Sequence, residues 1–100
     1  MIDEQKVYDY LFTIPKGKVV TYRMIALFLG NQYYARRVGT LLHNNPDTLK
    51  YPCYKVVNSK GKLACHFKDG IEIQKKRLEE DGIEVNEYTV DLNKYLWKQI

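Results

Sequence analysis

Thr21-Tyr22-Arg23-Met24-Ile25-Ala26-Leu27-Phe28-Leu29-Gly30-Asn31-Gln32-Tyr33-Tyr34-Ala35-Arg36-Arg37-Val38-Gly39-Thr40-Leu41-Leu42-His43-Asn44 is the stretch that decides the fold. Thr21 can cap a helix over 22–29 whose Ile25, Phe28 and Leu29 face inward, and Gly30 stands where a left-handed C-cap belongs. A tight turn at Gly30-Asn31 leads into a second helix, roughly 32–44. Ala35, Val38, Leu41 and Leu42 form its buried stripe, while Tyr33, Arg37, Thr40 and Asn44 recur on the outward side with Arg36 at the edge. Two short helices joined this way, the second with an arginine-bearing face and the small residues Ala35 and Gly39, read as a helix-turn-helix. Helical hairpins with exposed arginines are common, so this pattern alone leaves a DNA-reading unit and a plain hairpin both open.

Upstream, Asp3 can cap a first helix with Glu4 in its first turn, and Val7, Leu11 and Ile14 make one apolar stripe. Pro15 and Gly17 end it, and Lys18-Val19-Val20 is a short extended link. Downstream, Asn45-Pro46 breaks the reading helix. Tyr51 to Val57 is rich in strand formers, and Asn58 to Leu63 reads as a turn and return strand, so 55–64 is expected to form a hairpin, the "wing". Asp69 can cap a fourth helix over about 70–81, with Ile71 and Leu78 inward, a Glu72–Lys76 pair, and Gly82 at its close. Ile83-Glu84-Val85 is extended, Tyr88, Val90 and Leu92 alternate, and Tyr95, Leu96 and Trp97 pin the tail. The expected fold is mainly α with a small β-hairpin, one winged helix-turn-helix-like domain over residues 1–100.

Length and charge narrow the function. One hundred residues are too few for a barrel enzyme or a two-lobed enzyme with its own cofactor domain. No apolar run approaches a membrane span, no secretory signal opens the chain, and two cysteines make no disulfide framework. A soluble intracellular monomer, in cytosol or nucleus, is expected. The net charge of +4 divides unevenly: residues 1–68 hold 11 basic and 4 acidic side chains, residues 69–100 hold 5 and 8. A basic body with an acidic tail suits a polyanion on one face. Lys16, Lys18, Lys60, Lys62 and Lys68 fall in turns and loops, where those on the wing could meet phosphates.

Cys53, after Pro52 and before a strand, is the candidate nucleophile. Lys55 and Arg36 could supply positive charge to a thiolate and Asn45 a fixed amide. The competing reading is a small buried apolar residue. Cys53, Cys65, His66 and His43 match no common zinc spacing, so neither metal nor cofactor is expected.

Five segments carry a resemblance: Ile14 to Tyr22 (IPKGKVVTY), Ala35-Arg36-Arg37-Val38-Gly39, Asn45-Pro46, Pro52 to Gly61 (PCYKVVNSKG) and Leu78 to Gly82 (LEEDG). In order and spacing they resemble the DNA-binding domain of the O6-alkylguanine-DNA alkyltransferases and their small relatives, the alkyltransferase-like proteins. The resemblance implies a partner, duplex DNA containing O6-alkylguanine, with the base flipped into a pocket and its alkyl group moved once to Cys53. It implies that Tyr22 presses on a phosphate and can donate a proton to the leaving guanine, that Arg36 fills the vacated stack, and that Ala35, Arg37 and Gly39 line the helix in the minor groove. Lys55 is grouped with these as DNA-binding. Asn45 orients the cysteine loop, Val56 sits near the flipped base, and His66 and Phe67 cover the pocket.

Two departures stand out. The transferases carry His after the cysteine, where this chain has Tyr54, and Asp81 stands in for a longer Glu. A Cys-Tyr-Asp arrangement lacks a base that titrates near neutral pH. The family's N-terminal domain has no counterpart in the sequence, and Val90 to Trp97 resembles the alkyltransferase-like tail. Two readings follow: single-turnover transfer to Cys53, or a non-enzymatic sensor that passes lesions to nucleotide excision repair proteins.

Overall fold

The computed structural model describes residues 3–63 and 70–98. Helix α1 spans Glu4–Thr13, and Asp3 caps it by accepting from Gln5 N and Lys6 N. Its Val7 and Leu11, with Ile14 just beyond, are buried as the stripe predicts. Strand β1, Val20–Thr21, runs directly into α2, Tyr22–Phe28, where Thr21 Oγ1 accepts from Met24 N at 3.2 Å. Gly30 ends α2 at φ +106°, a conformation that costs a residue with a Cβ about 1–2 kcal/mol. Phe28 departs from expectation: it is 56% exposed, and Ala26 takes the inward place beside Ile25. The ring of Phe28 leans instead on Tyr10, at 4.8 Å between centroids.

The reading helix starts later than its pattern suggests. Gln32–Tyr34 form a 3-10 turn, with Asn31 Oδ1 accepting from Tyr33 N, and α3 proper is Ala35–His43. Val38 and Leu42 are buried, Ala35 and Leu41 half-buried, and the outward residues are exposed.

After the Asn45-Pro46 break comes a second 3-10 turn, Cys53–Lys55, and then β2, Val56–Val57. Here the expected hairpin at 55–64 gives way. β2 pairs in parallel with β1, in the register Val20↔Val56 and Thr21↔Val57. The returning chain goes elsewhere: Lys62 bridges Thr89, and Leu63 N donates to Tyr88 O. The cause is local. Asn58 Oδ1 accepts from Lys60 N and Lys62 N, which tightens the turn. Gly61, at φ +83°, then lies so close to Val90 that a Cβ would stand 2.2 Å from its carbonyl oxygen. Only glycine permits that approach, and it delivers the chain to a different partner.

Helix α4 is Ile71–Glu80, closed by Gly82; its expected cap, Asp69, lies outside the described residues. The antiparallel hairpin is β3, Val85–Asn86, with β4, Thr89–Val90. Tyr88 is therefore in the turn, not a strand. Both turn residues, Glu87 and Tyr88, have positive φ, the geometry that matches the twist of a two-residue hairpin. Tyr88 donates its hydroxyl to Glu72, the carboxylate expected to pair with Lys76. Leu92–Tyr95 form a single turn, α5, and the tail docks as expected: Val19 N donates to Tyr95 O and Trp97 N to Val19 O, both at 2.9 Å.

The parallel pair divides the interior. Side chains alternate across strands. Val20 and Val56 face a cluster with Val7, Leu11, Ile14, Ile25, Val38, Leu42 and Cys53. Val19 and Val57 face a second with Leu63, Leu78, Ile83, Val85 and Val90. Tyr54 packs against both clusters.

Candidate nucleic-acid interface and reactive cysteine

The cysteine is placed by its predecessors. Pro52, at φ −76° and ψ +63°, makes an inverse γ-turn in which Cys53 N donates to Tyr51 O at 2.7 Å. The thiol is buried, 3% exposed, in the first cluster. Asn45 is wholly buried beside it. Its Nδ2 donates to Cys53 Sγ at 3.2 Å and to Tyr51 O at 3.0 Å, and its Oδ1 accepts from Asp47 N at 3.0 Å. Asn45 thus ties the cysteine turn to the 45–47 bend. An N–H aimed at sulfur is a contact an anionic sulfur accepts more strongly than a neutral one.

Tyr54 and Asp81 also meet, but apart from the thiol's hydrogen bonds. The Tyr54 hydroxyl donates to Asp81 Oδ2 at 3.0 Å. Burial pushes the phenol's pKa well above its ordinary value, and the Asp81 carboxylate raises it further. The phenol thus keeps its proton and spends it on Asp81.

Lys55 does not belong to a DNA-binding face. It is 8% exposed, its Nζ donates to Ile14 O at 3.0 Å, and it lies 3.9 Å from Asp81 Oδ2. The 3-10 turn rotates it inward, where a strand would have aimed it out. Val56 is corrected likewise: with no exposed surface and Val20 as its partner, its side chain lines core rather than an open pocket. His66 and Phe67, with Cys65 and Lys68, lie outside the described residues. Among the described residues no group of three or more His, Cys, Asp or Glu side chains could hold a metal ion. No described helix is long and apolar enough to cross a membrane.

Two residues essential to this geometry escape the sequence reading. Gln74 is wholly buried, and its Nε2 donates to Tyr54 O and Val56 O at 3.1 Å each, tying α4 to the cysteine turn. Its signal is a polar residue at a core position, between Ile71 and Leu78 on the inward stripe. Tyr8 stacks on Tyr51 at 4.4 Å between centroids. Burial, then Glu4, then the nearby Cys53 push its phenol upward in pKa. Tyr8 falls beside the α1 stripe, but nothing in the sequence ties it to Tyr51.

The outer side of α3 forms the other half of the site. Arg36, Arg37, Thr40 and Asn44 border a groove of about 600 Å³ with Glu4, Tyr8 and Pro46. Across the helix, Tyr22 and Ala35 share a hollow of about 430 Å³ with Arg23, Tyr33, Asn58 and Ser59. A Cβ on Gly39 would meet the Tyr22 ring only at 3.9 Å, an ordinary contact. The fold itself therefore does not require glycine there. The structure thus gathers Cys53 with Asn45 and Tyr54 with Asp81, and sets Arg36 and Arg37 on one side of α3 and Tyr22, at the start of α2, on the other.

A helix-turn-helix with an arginine-bearing second helix, backed by a buried thiol in the turn that leads into a two-residue parallel ladder, defines a small DNA-binding domain with a cysteine behind its reading helix. Residues 3–83 match the family described as 6-O-methylguanine DNA methyltransferase, DNA binding domain, and the chain belongs to that family. It is 43% identical to a DNA base-flipping protein of Vibrio parahaemolyticus over 94 residues, covering 93% of each chain. It is 42% identical to alkyltransferase-like protein 1 of Schizosaccharomyces pombe, covering 93% of this chain and 92% of the other. Its fold is similar to the crystal structure of S. pombe Atl1 in complex with damaged DNA containing O6-carboxymethylguanine, with TM-score 0.86 and 39% identity over 96% of this chain and 94% of that one.

Proposed function

We propose that this chain binds duplex DNA carrying O6-alkylguanine and swings the damaged base out towards Cys53, without efficient transfer of the alkyl group. Similarity over nearly the whole length to a base-flipping protein and to an alkyltransferase-like protein supports the binding half. Helix α3 enters the minor groove, where Ala35 and Gly39 let its backbone approach closely and Arg37 meets the sugar-phosphate wall. Tyr22 presses on the phosphate beside the lesion, and Arg36 takes the place of the extruded base. A lesion held but not repaired is one for excision repair proteins to remove.

The observation that carries the second half is the Tyr54–Asp81 hydrogen bond at 3.0 Å. Transfer needs the thiol proton removed, so that sulfur attacks the alkyl carbon while the C–O6 bond breaks and the guanine oxygen leaves with the electron pair. The side chain after the cysteine is a proton donor already committed to Asp81, not a base. Single-turnover transfer, the second reading, is favoured by one contact, the Asn45 amide on Cys53 Sγ at 3.2 Å.

Intact-mass measurement on a duplex containing O6-methylguanine separates them. The expected result at neutral pH is preferential binding with no gain in protein mass. A rapid gain of one methyl that disappears in Cys53→Ala replaces this reading with transfer. Equal affinity for damaged and undamaged duplex removes both.

A further inference from the structure

Resting on the minor-groove docking proposed above, we infer that Tyr33 is a further DNA contact, its ring packing against the deoxyribose wall of the groove on the flank of α3 where Tyr22 stands. The 3-10 turn Gln32–Tyr34 puts it there. In a continuous α-helix Tyr33 would stand one turn before Arg37, on the same row. The tighter winding of the turn, about 3.0 residues per turn instead of about 3.6, swings it off that row. Arg37 accordingly borders the groove with Arg36 and Tyr8, whereas Tyr33 borders the hollow of about 430 Å³ with Tyr22 and Ala35.

The two flanks of α3 differ in chemistry. A helix lying in the minor groove has a sugar-phosphate backbone along each flank. One flank presents the guanidinium groups of Arg36 and Arg37. The other presents the rings of Tyr22 and Tyr33, with Arg23, Asn58 and Ser59 around the rim of the hollow. Tyr33 is 81% exposed, so its ring contributes little to the core. Its backbone, by contrast, is fixed: Asn31 Oδ1 accepts from Tyr33 N at 2.9 Å, and Asn31 O from Tyr34 N at 3.0 Å. Only the side-chain torsions remain to be ordered on binding, and a tyrosine has two of them, so the contact costs little entropy. A phenol suits a sugar wall, because its face packs on C–H groups while its hydroxyl stays in water at the rim. Such a contact neutralises no phosphate and reads neither base nor lesion.

Fluorescence anisotropy on an O6-methylguanine duplex and on the same duplex undamaged, across a salt series, tests this. Tyr33→Ala should weaken binding to both about fivefold, the low end for an aromatic side chain lost from a nucleic-acid contact, and so keep the preference for damaged DNA. Its salt slope should match that of wild type, whereas Arg23→Gln, on the rim of the same hollow, should make the slope shallower by about one. Tyr33→Phe should bind as wild type does. Thermal melting of Tyr33→Ala should match wild type, which reports that the variant is folded. Wild-type affinity in Tyr33→Ala, or a loss that Tyr33→Phe shares in full, overturns the inference. A loss confined to the damaged duplex also overturns it, by placing Tyr33 in the extrusion of the base, and an unchanged slope in Arg23→Gln takes the hollow off the backbone. A wild-type chain that binds neither duplex overturns the proposed docking itself; equal affinity for the two removes the lesion preference and leaves the comparison on Tyr33 to be read from either.

Discussion

Replacing Asn45 tests whether the cysteine loop is built as described. Its side chain has no exposed surface; Nδ2 donates to Tyr51 O and Cys53 Sγ, and Oδ1 accepts from Asp47 N. In Asn45→Ala the Asp47 N–H loses its acceptor and Cys53 Sγ its donor, while Tyr51 O keeps the bond from Cys53 N. The lost hydrogen bonds, together with the lost contacts of a wholly buried side chain, should cost about 1–3 kcal/mol. For a domain this size each kcal/mol lowers Tm by about 4–8 °C. Asn45→Asp is the sharper probe. It keeps the acceptor for Asp47 N but sets a carboxyl oxygen against Tyr51 O and Cys53 Sγ. Burial and those acceptors disfavour the ionised form, so the folded-state pKa of the new carboxyl lies above its unfolded value of about 3.9. A group raised in this way stabilises the fold below the unfolded pKa and loses that contribution as pH rises through the folded one. The deficit of Asn45→Asp relative to wild type should therefore be large at pH 7 and shrink towards pH 4. Urea denaturation of both proteins across that range measures it. A deficit independent of pH, or smaller than about 0.5 kcal/mol throughout, would mean that the Asn45 amide does not face those acceptors.

Three further outcomes follow from the same geometry. Wild-type stability should begin to fall as pH rises beyond about 10, because the Tyr54 phenol is raised in the folded state and its contribution is lost towards the folded pKa; Tyr54→Phe should lose less over that range, and parallel curves would refute the Tyr54–Asp81 bond. Lys55→Met should lower stability by about 1–3 kcal/mol, by stripping Ile14 O of its donor, while leaving the salt dependence of DNA binding unchanged; a shallower salt slope would return Lys55 to the DNA face. Arg36→Ala should weaken binding to O6-methylguanine duplex more than Lys62→Ala does, as measured by fluorescence anisotropy, and an unaltered preference for damaged DNA would refute its placement in the emptied stack.

What could be read from the chain were the features that act locally. Asp3 and Thr21 cap the helices their positions announce, and Gly30 and Gly82 end helices at positive φ. The stripe of Val7, Leu11 and Ile14 is buried because periodicity within one helix is a property of that helix alone. Partners distant in sequence were not legible. Val56 pairs with Val20 rather than with the chain after the turn, because Gly61 meets Val90, a residue no local pattern connects to it. Lys55 turned inward because a single 3-10 turn replaces the first strand residues and shifts every side chain's direction. The residues brought Cys53, Asn45, Tyr54 and Asp81 into view, and Asn45 as an amide for the thiol, but not that the phenol spends its proton on Asp81. Gln74 and the Tyr8–Tyr51 stack hold the loop through contacts that exist only once the helices have assembled.

The two-residue parallel ladder has a mechanical consequence. Its first strand ends where Tyr22 begins the helix-turn-helix, and its second begins where the cysteine turn ends. The element that grips DNA and the sulfur behind it are therefore riveted to one strut, with no flexible joint between them. If Tyr22 presses on the duplex as proposed, this ladder is the path that joins it to the turn around residue 53. On that proposal the ladder, and not the identity of the side chain at 53, carries the strain of extruding a base.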